Sequence, residues 1–254
     1  MNSAIVDRLI EINRRFYTER GRDFSATRRQ LRPGVRRILA SLAGDETLLD
    51  LGCGNGSVAS ELSRIGHTGR YLGADFSGPL LEDACRHSLG FPAQFVEADL
   101  LALNPNAGCG TEGADSSPAH VSPLDATDWS VITAFAFLHH VPGCERRLKL
   151  LQRVRAWLKP EGRFLHSNWQ FSTNPRMRSR ILAWSAVNLD EGDLDQGDYL
   201  IEWRRGGFGV RYVHEFREAE LAELAAATGF SVGGTFYADG ADRRSGLYQT
   251  WEAA

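Results

Sequence analysis

Short apolar runs alternate with amphipathic stretches along most of the chain. Strand patterns fall near residues 47–51, 70–75, 93–98, 129–135 and 162–167. Helical patterns lie between most of them, near 57–66, 78–88 and 145–158. In the first, Val58, Leu62 and Ile65 recur at i, i+4 and i+7, one face of a helix. In the last, Leu150, Leu151, Val154, Trp157 and Leu158 form one stripe, and Lys159-Pro160-Glu161-Gly162 ends it. A further helix near 217–228 meets a glycine C-cap at Gly229. Strands near 230–237 and 246–252 follow, joined by a polar turn from Asp239 to Ser245 that predicts a hairpin. Alternation of this kind predicts an α/β fold with a mostly parallel sheet and helices on both faces. No internal repeat is visible.

Two segments interrupt the alternation. Residues 104–127 are rich in Gly, Ala, Ser, Pro and Asp and offer little to bury, so a surface loop is expected there. Residues 169–216 carry aromatic and charged side chains between the fifth strand and the last helix. An insertion at that edge of an α/β sheet is expected to cap the ligand crevice. The predicted layout is a helical N-terminal arm (1–43), a core (44–168), the cap (169–216), and a C-terminal helix and hairpin that complete the core (217–254).

Composition narrows the function classes. The 254 residues are 43% hydrophobic and carry a net charge of −3, so the chain as a whole has no attraction for nucleic acid. Charge is uneven, however. Residues 1–43 hold ten Arg against four Asp and Glu, a net +6. That arm is either a contact for an anionic partner or a solvated helix face. Cys53, Cys85, Cys109 and Cys144 lie 24 to 35 residues apart, which suits neither a zinc site nor a disulfide framework. Reduced thiols, charges from Asp7 onward and no apolar run long enough to span a bilayer predict a cytoplasmic protein without a membrane partner.

The candidate chemistry begins at Asp50-Leu51-Gly52-Cys53-Gly54-Asn55-Gly56, between the first strand and its helix. Glycines at every second position let a ligand approach the backbone. The third comes one residue too early for a dinucleotide turn, and no Lys is near to serve a phosphate loop. Backbone donors without a cation suit a zwitterionic amino acid tail better than a polyphosphate. Asp75 ends the second strand, 23 residues after Gly52, where a carboxylate can accept ribose hydroxyls. Asp99 ends the third, where it can accept from an adenine amine, with Leu100 against the ring.

In this order and spacing the chain resembles a class I S-adenosylmethionine-dependent methyltransferase over roughly residues 45–168 and 217–252. The resemblance implies a Rossmann-like seven-stranded sheet with an antiparallel last strand. It implies S-adenosylmethionine as cofactor, with Asp50, Gly52, Cys53, Gly54, Asp75, Phe76, Asp99, Leu100 and Phe135 around it. A narrower resemblance, to tRNA wobble-uridine methyltransferases that esterify a 5-carboxymethyluridine, rests on several runs. They are Phe137-Leu138-His139-His140-Val141-Pro142, Glu145-Arg146-Arg147, Lys159-Pro160-Glu161-Gly162-Arg163 with Trp169, Asp198-Tyr199-Leu200-Ile201-Glu202-Trp203, Arg211-Tyr212-Val213-His214-Glu215-Phe216, and Phe24-Ser25-Ala26-Thr27-Arg28. It implies tRNA as a partner. A small-molecule acceptor is the alternative.

The acceptor sets the remaining needs. A carboxylate, with a pKa of about 4, is already ionised and requires no base. It needs donors, for which Arg28, His139, Tyr212 and His214 are the candidates. A phenol or amine needs a base, for which His139, His140 or His214 would serve. His139, Tyr212 and His214 are therefore the expected catalytic residues. Arg28, Trp169 and Trp203 are the expected substrate contacts, the two tryptophans either as stacking platforms or as core.

Overall fold

A computed structural model describes residues 1–27, 30–101, 124, 126–172, 174–204 and 207–254. The elements are α1 (Ser3–Ala26), α2 (Pro33–Leu39), β1 (Leu48–Leu51), α3 (Ser57–Arg64), β2 (Tyr71–Asp75), α4 (Gly78–Ala84), β3 (Ala93–Glu97) and β4 (Trp129–Phe135). There follow α5 (Cys144–Trp157), β5 (Leu158–Trp169), α6 (Pro175–Arg178), β6 (Ile181–Leu182), β7 (Asp198–Trp203), β8 (Gly209–His214), α7 (Glu218–Ala227), β9 (Phe230–Ala238) and β10 (Gly246–Ala253). Among the described residues the main sheet runs β3-β2-β1-β4-β5-β10-β9. Its first five strands are parallel and β10 is antiparallel to both neighbours. This is the Rossmann-like sheet the alternation and the resemblance predict. Except for residues 124, 126 and 127, the expected 104–127 loop lies outside the described residues, as does Arg28.

The strand order reverses between β1 and β4, and a crevice opens there at the carboxyl ends of the strands. Both faces of the sheet are covered. Leu49, Leu72, Ile132 and Phe164 pack with α5 and α7 residues such as Leu151 and Leu224. Leu48, Tyr71, Val131 and Leu165 pack with Ile38 of α2 and Leu62 of α3. Neighbouring strand residues thus feed opposite layers.

Two differences from the sequence reading have physical causes. Helix α5 does end before Lys159-Pro160-Glu161-Gly162, but β5 starts at once, at Leu158. Leu158 pairs with Trp129 and Arg163 with Val131, so the intervening residues bulge out, with Glu161 at φ 62°. The N-terminal arm is not solely a solvated helix face either. Ile5 and Leu9 of α1 pack on Tyr212, and Arg14, Arg15 and Arg22 pair with Asp99, Glu19 and Glu82.

The cap is an antiparallel sheet in the order β6-β7-β8. A buried polar cluster joins it to the core. Asp198 of β7 accepts from the Tyr212 hydroxyl (2.7 Å) and from His214 Nδ1 (2.6 Å), both on β8. Arg147 of α5 donates to the Val141 carbonyl (2.9 Å), the Tyr212 hydroxyl (3.1 Å) and Glu220 of α7 (3.2 Å). His214 Nε2 meets the same Glu220 carboxylate at 2.9 Å. Burial pushes the His214 imidazole down, but hydrogen bonds to Asp198 and Glu220 outweigh it and raise its pKa above the ordinary value. Among the described residues, no helix is long and apolar enough to cross a membrane.

Candidate active site

The crevice is walled by the ends of β1, β2, β4 and β5, by the β9–β10 hairpin and by Arg211 of β8, and α1 closes it with Asn13, Arg14 and Tyr17. At the β1 end, Gly52 and Gly54 line it at φ 70° and 55°. Those angles belong to the left-handed region that side chains disfavour. A Cβ on Gly52 would also lie 2.6 Å from the Phe137 ring. We therefore expect Gly52→Ala to weaken cofactor binding about tenfold or more, because relieving the clash with Phe137 shifts the backbone that faces the cofactor. Calorimetric titration of a variant with unchanged circular dichroism checks this.

The acids at the strand ends shape the same half of the crevice. Asp75 is 7% exposed and accepts from the backbone N–H groups of Gly54 and Ser77, each at 2.9 Å. Burial raises its pKa, and the backbone donors restrain the rise. Asp99 accepts from the Leu101 N–H (3.0 Å) and pairs with Arg14. Each of these carboxylates keeps lone pairs that can accept more donors. Phe76, Leu100 and Phe135 complete an apolar wall. Glycine backbone, strand-end acids and flat apolar walls fit S-adenosylmethionine.

Two expected residues stand back from this wall. Asp50 is buried inside the sheet, where it accepts from the hydroxyls of Tyr71 (2.8 Å) and Thr133 (2.6 Å). Burial raises its pKa to about 6, against the pull of Thr133 and Tyr71. It braces β1 against its neighbours and does not line the crevice. Cys53 is also buried and packs its sulfur against Gly73.

The rest of the crevice is where the sequence reading and the structure differ most. His139 and Trp169 line the crevice. The Trp169 N–H donates to His139 Nδ1 (3.3 Å), which leaves Nε2 of the neutral ring as a donor rather than a base. His140 is spent on structure. Its Nδ1 donates to the Tyr212 carbonyl (3.0 Å), and its Nε2 accepts from the Tyr17 hydroxyl (2.9 Å). Asn13 clips both backbone groups of Tyr212, accepting from its N–H at 2.8 Å and donating to its carbonyl at 3.1 Å. Helix α1 is thereby fastened to β8.

Tyr212 and His214 do not line the crevice. Their side chains are 0% and 1% exposed and belong to the cluster around Asp198 and Arg147. They share one face of β8, and alternation turns that face away from Arg211. Trp203 is buried beneath the crevice, edge-on to Phe16, and does not line it.

Arg211 is the residue the sequence reading missed. It lines the crevice although only 3% of it is exposed. Its guanidinium carbon lies 5.0 Å from the Phe16 ring centre and 5.5 Å from those of Trp169 and Trp203. Rings at this range stabilise a cation and fix its plane. Arg211 stands inside the motif with Tyr212 and His214, but only the docking of the cap shows which face of β8 looks inward.

Residues 24–233 match a family model described as a methyltransferase domain. A protein of Encephalitozoon cuniculi (strain GB-M1) named as a methyltransferase is 30% identical over 219 residues, 86% of each chain. The 2-phytyl-1,4-naphtoquinone methyltransferase of Nostoc punctiforme (strain ATCC 29133 / PCC 73102) is 33% identical over 73% of this chain and 72% of its own. The tRNA (carboxymethyluridine(34)-5-O)-methyltransferase of Mus musculus is 27% identical over 71% of this chain and 23% of that longer protein. In fold, the chain is similar to an S-adenosylmethionine-dependent methyltransferase of Methanosarcina mazei, with a TM-score of 0.62 at 19% identity over 88% of this chain and 98% of that one. Matched along most of its length, the chain belongs to the methyltransferase domain family and is an S-adenosylmethionine-dependent methyltransferase.

Proposed function

We propose that this enzyme esterifies a carboxylate, the carboxymethyl group of a 5-carboxymethyl-type uridine in tRNA. The observation that carries the proposal is the buried Arg211 guanidinium, held among Phe16, Trp169 and Trp203 on the acceptor side of the crevice. A buried cation there selects an anionic acceptor. His139 supports the same reading, since its Nε2 is set as a donor. The mouse relative is named for a carboxymethyluridine acceptor, which adds support.

When bound, the cofactor supplies a methyl group on a positively charged sulfur. Arg211 and His139 hold one oxygen edge of the carboxylate and leave the other oxygen to attack. The aromatic walls and α1 keep water from the nucleophile. Holding both reactants in line is worth roughly 7–11 kcal/mol, and an ionised carboxylate needs no base. Gly52, Gly54, Asp75, Phe76, Asp99, Leu100 and Phe135 hold the cofactor, with Asp75 at the ribose and Asp99 at the adenine.

A second reading is a small acidic metabolite. It is favoured by α1, which closes over the crevice, and by the similarity to the naphthoquinone enzyme. Label transfer from the cofactor tests both. We expect tRNA bearing carboxymethyluridine to take up label that mild alkali releases as methanol, the mark of an ester. Alkali-stable label would overturn esterification. Uptake by a free acid but none by tRNA would select the second reading.

A further inference from the structure

Besides Arg14, which pairs with Asp99, and Arg211, a third arginine lines the crevice. Arg32 lines the wall near the β9–β10 hairpin, half-buried. Among the described residues it has no ion-pair partner. The nearby acid, Asp239, spends one oxygen on the Gly34 N–H (3.1 Å) and the other on the Tyr248 hydroxyl. Burial and the Asp239 bond hold the Tyr248 hydroxyl protonated, so it stays a donor to that carboxylate.

The chain is built to keep Arg32 in place. It precedes Pro33, which confines it to the extended backbone it adopts (φ −64°, ψ 144°). Gly34 lies so close to Tyr248 that a Cβ would sit 2.3 Å from the ring. Asp239 itself sits at φ 68°, an unfavourable angle for a residue with a side chain. A glycine, a proline, a left-handed aspartate and a buried tyrosine thus fix the start of α2 against the hairpin. Arg32 is the cation this platform presents to the crevice, along with Arg211 of the cap.

We infer that Arg32 is a second anion site, so that the acceptor carries two negative groups. This rests on the reading of the acceptor as anionic at Arg211. The shared chemistry is an oxyanion, either the phosphate ester next to the methylated nucleoside or a second carboxylate of a small diacid.

Inorganic phosphate is the direct probe, titrated into the full chain and followed by phosphorus NMR line width. We expect wild type to bind it. Arg32→Gln should weaken binding about tenfold, the loss of one charge-assisted hydrogen bond, and Arg32→Lys by less. Equal binding by wild type and Arg32→Gln, or none by wild type, would overturn the inference. A second measurement uses acceptors. The ratio of kcat/KM for 5-carboxymethyluridine with and without a 3′-phosphate should be about ten in wild type and fall towards one in Arg32→Gln. A ratio unchanged by the substitution counts against the site. Malonate displacing bound phosphate more effectively than uridine 3′-phosphate does would identify a diacid source, and the reverse a nucleotide. If neither uridine is methylated while phosphate still needs Arg32, the tRNA reading fails and the anion site stands.

Discussion

Replacing Arg211 with alanine is expected to lower kcat/KM for a carboxylate acceptor by about a hundredfold or more, roughly 2.7 kcal/mol. Binding of S-adenosylmethionine should change little, because the cofactor half of the crevice is built from other strands. The size follows from burial. Arg211 is 3% exposed and ringed by three aromatic side chains, so its attraction for an anion is weakly screened by water. Lysine should not rescue it. An ammonium lacks the planar guanidinium that stacks on the rings and holds the bound oxygen edge at a fixed angle. Steady-state kinetics with calorimetry of cofactor binding separate the outcomes. Equal loss of cofactor affinity and of turnover would mean that Arg211 acts through the fold alone. Retained activity would remove it from acceptor binding.

Arg147→Leu is expected to destabilise the protein by about 3–5 kcal/mol, the range for breaking a buried ionic cluster from one side. Arg147 is 1% exposed and lies 3.6 Å from Asp198 and 3.2 Å from Glu220. Without it, two carboxylates must share His214. The cluster also predicts a pH dependence. His214 has a raised folded pKa, held up by Asp198 and Glu220 against burial. A raised folded pKa favours the native state fully below the unfolded value, about 6.5, and that contribution fades as pH climbs through the folded value. Wild-type stability from this group should therefore fall from mildly acid to alkaline conditions. His214→Gln should flatten that fall. Urea unfolding across the pH range measures both. A His214→Gln variant with the wild-type slope would assign the dependence elsewhere. The same variant should raise KM more than it lowers kcat, since β8 carries Arg211 on its other face.

The two halves of the site were legible to different degrees. Gly52, Gly54, Asp75, Phe76, Asp99, Leu100 and Phe135 all line the crevice. They come from the carboxyl ends of parallel strands and the turns that follow them, so their spacing along the chain reflects their spacing in space. Asp50 belongs to the same motif, yet Tyr71 and Thr133 engage its carboxylate inside the sheet. Whether a strand residue points into a sheet layer or out to a ligand depends on its neighbours across the sheet, which are distant in sequence. His139, in the turn after β4, and Trp169, at the end of β5, both line the crevice. Tyr212 and His214 were expected at the active site, and the structure puts them in the buried cluster around Asp198 and Arg147.

What the sequence by itself determined was the order of strands and helices, the glycine turn that lines the crevice, and the family chemistry. These are set by hydrophobic period, glycine conformation and local spacing, all properties of short segments. What only the tertiary structure decided was the acceptor side. There α1, the cap and the hairpin meet around residues as far apart as Asn13, Arg32, Arg211 and Asp239. Each sits on an element whose inward face is chosen by packing against the others. A strand's alternation shows that Arg211 opposes Tyr212, but only the Arg147–Asp198 cluster and the Asn13 clip turn Arg211 to the crevice.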